Sequence, residues 1–293
     1  MREIVVITGA NSLLAKKVSL ILEDKFEIRF LTTSKKLTDN EKYFYWNTST
    51  NKIDKHCLNN CNHIIHLAGY SILKRWSKKN QQIMYDSRIN GSNMILKACK
   101  KNNHFPTTFI SASAIGIYNT SKDKVIENSP KNNDWLGKLA QDWENSANQF
   151  KKYGSRIIKL RISLIFSKNA GFLKYNLLSM KLGLGAIIGN PNRKINWMHI
   201  DDIANFIKSS ISNISYKGSY NLSTDECITQ QKLITLIKKK LYPYCFVIKI
   251  PKYIPILLLG ERYKVIDQNL EISNSKLKKT GFKIKYDKID QII

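Results

Sequence analysis

Eight residues near the N-terminus, Thr8-Gly9-Ala10-Asn11-Ser12-Leu13-Leu14-Ala15, lie between a continuous apolar run and the first helical pattern. Their composition suits one task, the holding of a phosphate. Gly9 permits a tight reversal of the chain, and Asn11 and Ser12 offer polar contacts or a helix cap. Leu13 and Leu14 open a helix whose first amides face outward and carry partial positive charge. Thr8 closes the strand before it. A dinucleotide-binding turn carries glycine at the positions held here by residues 9, 12 and 15. This chain keeps Gly9 and has Ser12 and Ala15 at the other two. Ala15 still lets helix pack on strand, whereas Ser12 adds a Cβ where a pyrophosphate must approach, which lowers the affinity expected of the turn.

A second segment, Leu31-Thr32-Thr33-Ser34-Lys35-Lys36, ends the next apolar run. An Asp or Glu at this place would accept hydrogen bonds from the ribose hydroxyls of NAD. None is present. The Thr33 hydroxyl and the Lys35 ammonium instead suit a 2′-phosphate, so NADP is expected rather than NAD, against the alternative that Lys35 and Lys36 are ordinary surface lysines. A third cluster, His56, Cys57, Cys61 and His63, falls within eight residues. Zinc takes such donors, but the usual knuckle spacing is missing and the adjacent His56 and Cys57 converge poorly on one ion. No metal is expected.

The elements that must position these residues alternate in type. Strands are expected at Ile4–Thr8, Glu27–Thr32, Tyr43–Trp46, His63–Ala68, Phe109–Ser111 and Arg156–Arg161, with helices at Leu13–Glu23, Ser77–Lys101 and Asp134–Lys152, the last closed by Gly154. This rhythm marks an α/β chain with a doubly wound parallel sheet of the Rossmann type. Beyond about residue 166 glycines break the pattern, and a smaller C-terminal α+β lobe is expected. The boundaries read as 1–165 for the nucleotide-binding domain, with helix 201–212 returning to it, and 166–293 for the substrate-side lobe.

The chain's 293 residues carry a net charge of +26. The excess is Lys rather than Arg and is dispersed along the chain, as a solvated surface would be, so no nucleic-acid partner is expected. The apolar run Ile254–Leu259 is far shorter than the roughly 20 residues a bilayer helix needs. With no secretory leader pattern and five cysteines read as reduced thiols, the expectation is a cytoplasmic protein without a membrane partner.

Several segments together resemble a known family. His66-Leu67-Ala68-Gly69, Lys74-Arg75-Trp76 and Asp86-Ser87-Arg88 are similar to its "NLAG…RW…SR" run, and Ser111-Ala112-Ser113-Ala114-Ile115-Gly116-Ile117-Tyr118 to its "SASAVGYYG". Asp142-Trp143-Glu144, Leu182-Gly183-Leu184-Gly185, Trp197-Met198-His199-Ile200-Asp201-Asp202 and Gly281-Phe282 resemble its remaining motifs, in order and at the right spacing. The chain is thereby identified as a member of the epimerase family of atypical extended short-chain dehydrogenases, also described as nucleoside-diphosphate-sugar epimerase-like or cell-division-inhibitor-like. The resemblance implies bound NADP(H). It places Leu67, Ala68, Gly69 and Ser111 on the cofactor-side rim, and offers Arg75, Arg88 and His199 to a small substrate whose identity it does not define.

The same resemblance bears on catalysis. Short-chain dehydrogenases use a Tyr made more acidic by a Lys four residues on, helped by a Ser. Ser113 is in register for that serine. Counting back from Glu144, Leu136 and Ala140 stand where the Tyr and Lys belong, and Lys138 faces another way. Two readings follow. In one, Ser113, Tyr118 or His199 supplies the proton step of an NADP-dependent oxidoreductase or epimerase of atypical mechanism, with nucleotide-sugar-like molecules among its candidate substrates. In the other, the chain binds NADP without turnover and serves a regulatory role, such as one in cell division.

Overall fold

Val5, Val6 and Ile7 are wholly buried because the strand that holds them, β1 (Ile4–Thr8), lies inside a sheet and meets apolar neighbours on both faces. The computed structural model describes residues 2–119, 123–168 and 171–293. After β1 come α1 (Leu13–Leu22), β2 (Glu27–Thr32), β3 (Tyr43–Asn47), β4 (Lys52–Ile53) and β5 (Cys61–His66). Then follow α2 (Lys78–Tyr85), α3 (Gly91–Lys101), β6 (Thr108–Ala114), α4 (Trp135–Asn148) and β7 (Arg156–Ile162). The later elements are β8 (Leu164–Phe166), α5 (Gly171–Lys181), β9 (Leu184–Ile188), β10 (Lys194–Ile195), β11 (Trp197–His199), α6 (Ile200–Ser212) and β12 (Gly218–Leu222). They end with β13 (Ile228–Thr229), α7 (Gln230–Leu241), β14 (Phe246–Ile250) and α8 (Tyr253–Leu259).

The chain divides into two units. One comprises Met1–Ile117, Asp134–Arg161 and Ala204–Tyr220, the other Tyr118–Asn133, Ile162–Ile203 and Asn221–Ile293. The first carries an eight-stranded sheet in the order β12-β7-β6-β5-β1-β2-β3-β4. The pairs β1–β2, β1–β5, β2–β3 and β5–β6 are parallel, and β3–β4 is antiparallel at the sheet's end. The strand order reverses between β5–β1 and β1–β2, so β1 stands at the switch point beside which ligands sit in sheets of this kind. Under the sheet a core of Val6, Leu31, Ile64, Ile95, Phe109 and Phe150 also holds Cys57, Cys61 and Cys99. Burial raises all three thiols, Cys61 and Cys99 to about 12. No group of His, Cys, Asp and Glu arranged to hold a metal occurs among the described residues.

The second unit builds its own core from Phe166, Leu173, Trp197, Leu233, Ile237 and Ile289. Three short two-stranded sheets, β10–β13, β11–β8 and β14–β9, frame it. Asp202, buried, accepts from the Lys285 and Tyr286 amides at 2.9 and 3.0 Å and fixes the C-terminal segment. Among the described residues no helix is long and apolar enough to cross a membrane.

The expected elements of the first half are present, with one difference. The single helix expected over Ser77–Lys101 is two, α2 and α3, joined by a π-turn at Asp86–Asn90. Ser77 caps α2 as expected, accepting from the Asn80 amide at 3.3 Å. The wider turn lets the adjacent Ser87 and Arg88 grip one residue. Ser87 Oγ accepts from the Tyr70 amide at 2.9 Å, and Arg88 Nη1 donates to the Tyr70 carbonyl at 3.0 Å. In a regular helix neighbouring side chains diverge by about 100°.

Candidate functional site

At the C-terminal ends of β1, β2, β3 and β5 the first unit opens a cleft of about 480 Å³. The β1–α1 turn forms one wall with Gly9, Ala10, Asn11 and Ser12, and Leu67, Ala68, Gly69 and Tyr70 after β5 form another. Gly9 has φ +76°, and a Cβ there would stand 3.0 Å from the Leu67 carbonyl oxygen. Glycine is thus required twice, by the backbone angle and by the Leu67 carbonyl beside it. Ser12 turns its hydroxyl back onto its own helix and accepts from the Ala15 amide at 3.1 Å. Its backbone is extended, so the residue at the second glycine position carries no backbone strain. The amides of Leu13 and Leu14, in the first turn of α1, have no acceptor within the helix. Ala15 is fully buried at the third position.

Thr8 ties the two walls together. Its Oγ1 accepts from the Leu67 and Ala68 amides at 3.0 and 2.9 Å and lies 2.9 Å from His66 Nδ1. With both lone pairs used, the hydroxyl proton must go to Nδ1. The imidazole proton is then on Nε2, which donates to the Arg88 carbonyl at 2.9 Å. His66 is therefore neutral, and burial lowers its pKa to about 4. One relay joins the end of β1, the end of β5 and the π-turn.

Arg88 lies beyond the second wall. A Cβ on Gly69 would meet its guanidinium at 2.9 Å, and the group rests 4.9 Å from the Trp143 ring. Burial lowers its pKa to about 10, so it remains a cation at neutral pH. Its partners are carbonyls and a hydroxyl, those of Tyr70, Met84 and Ser87, rather than a carboxylate. Arg75 is exposed, and its carbonyl accepts from Asn80 Nδ2 at 2.7 Å. At the end of β2, Thr33 lines the cleft and Lys35 is exposed, its Nζ 5.9 Å from the Tyr45 ring.

A model of the NAD dependent epimerase/dehydratase family matches residues 5–223. The chain belongs to that family. Among curated epimerase family proteins, one from Staphylococcus epidermidis is 29% identical over 97% of this chain and 95% of its own. The chloroplastic SDR39U1 homolog of Arabidopsis thaliana is 27% identical over 96% of this chain and 82% of its own. Among solved structures, the human epimerase family protein SDR39U1 with NADPH superposes with a TM-score of 0.84 at 17% identity, covering 99% and 97% of the two chains. UDP-N-acetylglucosamine 4-epimerase from Bacillus cereus gives 0.77 at 18% identity, covering 97% and 94%. These superpositions bear out the expected Rossmann-type α/β fold.

In this epimerase-family chain the groups considered for proton transfer are already engaged. Ser113, buried at the end of β6, donates to Glu144 Oε1 at 2.9 Å. Arg161 grips the same carboxylate through Nε and Nη2 at 2.7 and 2.9 Å, and Lys159 Nζ lies 3.8 Å away. Burial works to raise the Glu144 pKa, but Arg161 above all, then Lys159 and Ser113, hold it below the usual carboxylate range. Leu136 and Ala140 occupy the same helix, α4, two turns and one turn before Glu144. Ser111, fully buried, donates to the Ala112 carbonyl at 2.9 Å. Two further groups belong to the second unit. Tyr118, 2% exposed, donates to Asn221 Oδ1 at 2.5 Å. His199 Nδ1 accepts from the Asp201 amide at 3.3 Å, and its ring lies 4.1 Å from that of Tyr286.

Sequence reasoning did not find Trp46, Asn47, Thr48 and Ser49, which line the cleft after β3. Their place at the C-terminal end of the third parallel strand was the available signal.

Proposed function

We propose that the chain binds NADP(H) in the cleft beside Gly9 and acts as an NADP-dependent oxidoreductase or epimerase-like enzyme on a small, nucleotide-sugar-like substrate, without a Tyr–Lys pair. The observation that carries the cofactor reading is the cradle itself. Gly9 leaves no room for a side chain, two first-turn amides have no helical acceptor, and hydroxyls and lysines without a carboxylate follow β2. Thr8, Gly9, Asn11, Ser12, Leu13 and Leu14 would hold the pyrophosphate side, Thr33 and Lys35 a 2′-phosphate, and Leu67, Ala68, Gly69 and Ser111 the rim nearer the nicotinamide. When bound, the cofactor supplies hydride transfer. Arg75, exposed, would anchor an anionic group of the substrate, with Arg88 behind Gly69 as a second cation. Ser113 has committed its proton to Glu144, so its oxygen is left to accept from a substrate hydroxyl. Tyr118 is the second candidate for the proton step. The NADPH named with the SDR39U1 structure agrees with the cofactor choice.

A second reading has its own support. The Ser113 and Tyr118 protons both rest on internal acceptors, and Leu136 and Ala140 supply none. A chain built this way would bind NADP and act through that binding rather than through turnover. Titration of NADPH fluorescence tests the shared claim, with a Kd in the micromolar range expected, about −8 kcal/mol. No binding at millimolar cofactor would sink both readings. Incubation with NADP+ and nucleotide sugars, followed at the absorbance of NADPH for net oxidation and by NMR for epimer formation, separates them.

A further inference from the structure

The second unit exposes an apolar face among cations. In the parallel pair β9–β14, Gly185, Ile187 and Val247 turn inward against Met180 and the unit's core. The alternate residues turn outward, where Leu184 lies beside Phe246 and Ala186 beside Ile248. Phe246 is 76% exposed, against the usual placement of a strand Phe. Three residues after β14 begins α8, in which only Pro255 is buried, while Leu257 and Leu258 are 85% and 71% exposed. A helix apolar on nearly every side is stable when something apolar covers it.

The surrounding charge identifies the cover. Residues 171–195 and 228–260 together contain ten Lys and Arg and no Asp or Glu. Lys181 and Lys252, both exposed, immediately flank the apolar stretches, and among the described residues only Lys194 and Lys240 of the ten form ion pairs, with Glu271 and Asp290. A second copy of this face would bring like charges together at its rim. An anionic lipid surface complements both features, accepting leucines and aromatics below the headgroups and lysines among the phosphates. We propose that β9, β14 and α8 form a peripheral docking surface for an anionic bilayer. The surface lies in the interface plane and spans nothing. It modifies the expectation of no membrane partner, which rested on the absence of a spanning segment.

Why the sequence concealed this is plain. The lysines are dispersed along the chain, and Ile254–Leu259 is too short for a span; that Phe246, Leu257 and Leu258 stay uncovered shows only in the fold.

Co-sedimentation of the full-length protein with vesicles tests the proposal. Vesicles of phosphatidylcholine mixed with phosphatidylglycerol should retain it at least about tenfold better than phosphatidylcholine alone, and less as salt rises. Leu257→Ser with Leu258→Ser, or Phe246→Ser alone, should lower that retention about tenfold while circular dichroism and melting stay unchanged. Equal retention by the leucine variant would reduce the effect to bare charge attraction and overturn the proposal. So would absence of binding at low salt. A dimer in sedimentation velocity that these substitutions dissociate would assign the face to a second copy and likewise overturn it.

Discussion

Thr8 Oγ1 stands 2.9 Å from His66 Nδ1 and gives it a hydrogen bond, because its lone pairs already serve the Leu67 and Ala68 amides. The arrangement works only with a neutral imidazole. A proton on Nδ1 would set two donors against each other inside the sheet.

Stability should therefore depend on pH through His66. The unfolded chain protonates this residue below its ordinary value of 6.5, while the folded chain resists until about 4. Stability is complete above pH 6.5 and is lost progressively as pH falls to 4, by up to about 3 kcal/mol. Urea unfolding across that range measures it. His66→Gln should flatten the dependence, and an unaltered slope in that variant would remove His66 from the account.

Gly9→Ala should cost about 1–3 kcal/mol and abolish NADPH binding, because the left-handed backbone and the Leu67 carbonyl act together. Gly154→Ala is the control. Gly154 has a similar φ, +83°, but nothing within 4 Å of an added Cβ, so it should cost about 1 kcal/mol and leave binding intact. Equal effects at the two positions would mean that contact with the Leu67 carbonyl is unimportant.

Cofactor discrimination should follow the end of β2. Lys35→Glu is expected to lower the preference for NADPH over NADH by about tenfold, or about 1.4 kcal/mol, read from paired fluorescence titrations. An unchanged ratio would return Lys35 to the ordinary surface.

Ser113→Ala should abolish any turnover while leaving NADPH affinity within about twofold. Tyr118→Phe separates two roles of that hydroxyl. Lost turnover with a normal melting temperature places it in the proton step. A loss of about 1 kcal/mol of stability with turnover intact makes it a structural anchor for Asn221.

The alternation of apolar runs made the parallel strands legible, since a strand buried on both faces has little alternative composition. Gly9 was equally clear, because a turn between buried strand and helix admits few residues. The π-turn was hidden. Asp86–Asn90 contains neither Gly nor Pro, and the widening serves contacts of Ser87 and Arg88 with Tyr70, seventeen and eighteen residues earlier. β12 was missed as a sheet strand because its place beside β7 depends on the chain returning after α6. The Ser113–Glu144–Arg161 chain joins β6, α4 and β7, so no local pattern announces it.

The buried thiols have a practical consequence. Alkylating reagents attack the thiolate, and Cys57, Cys61 and Cys99 are kept both protonated and covered while the sheet and its helices stay together. Each becomes reactive only when the first unit opens. Cys245, buried in the core of the second unit, reports there instead. The chain thus carries its own clock for local unfolding: the mass gained per minute in a labelling reaction times the breathing of each unit, without an added probe.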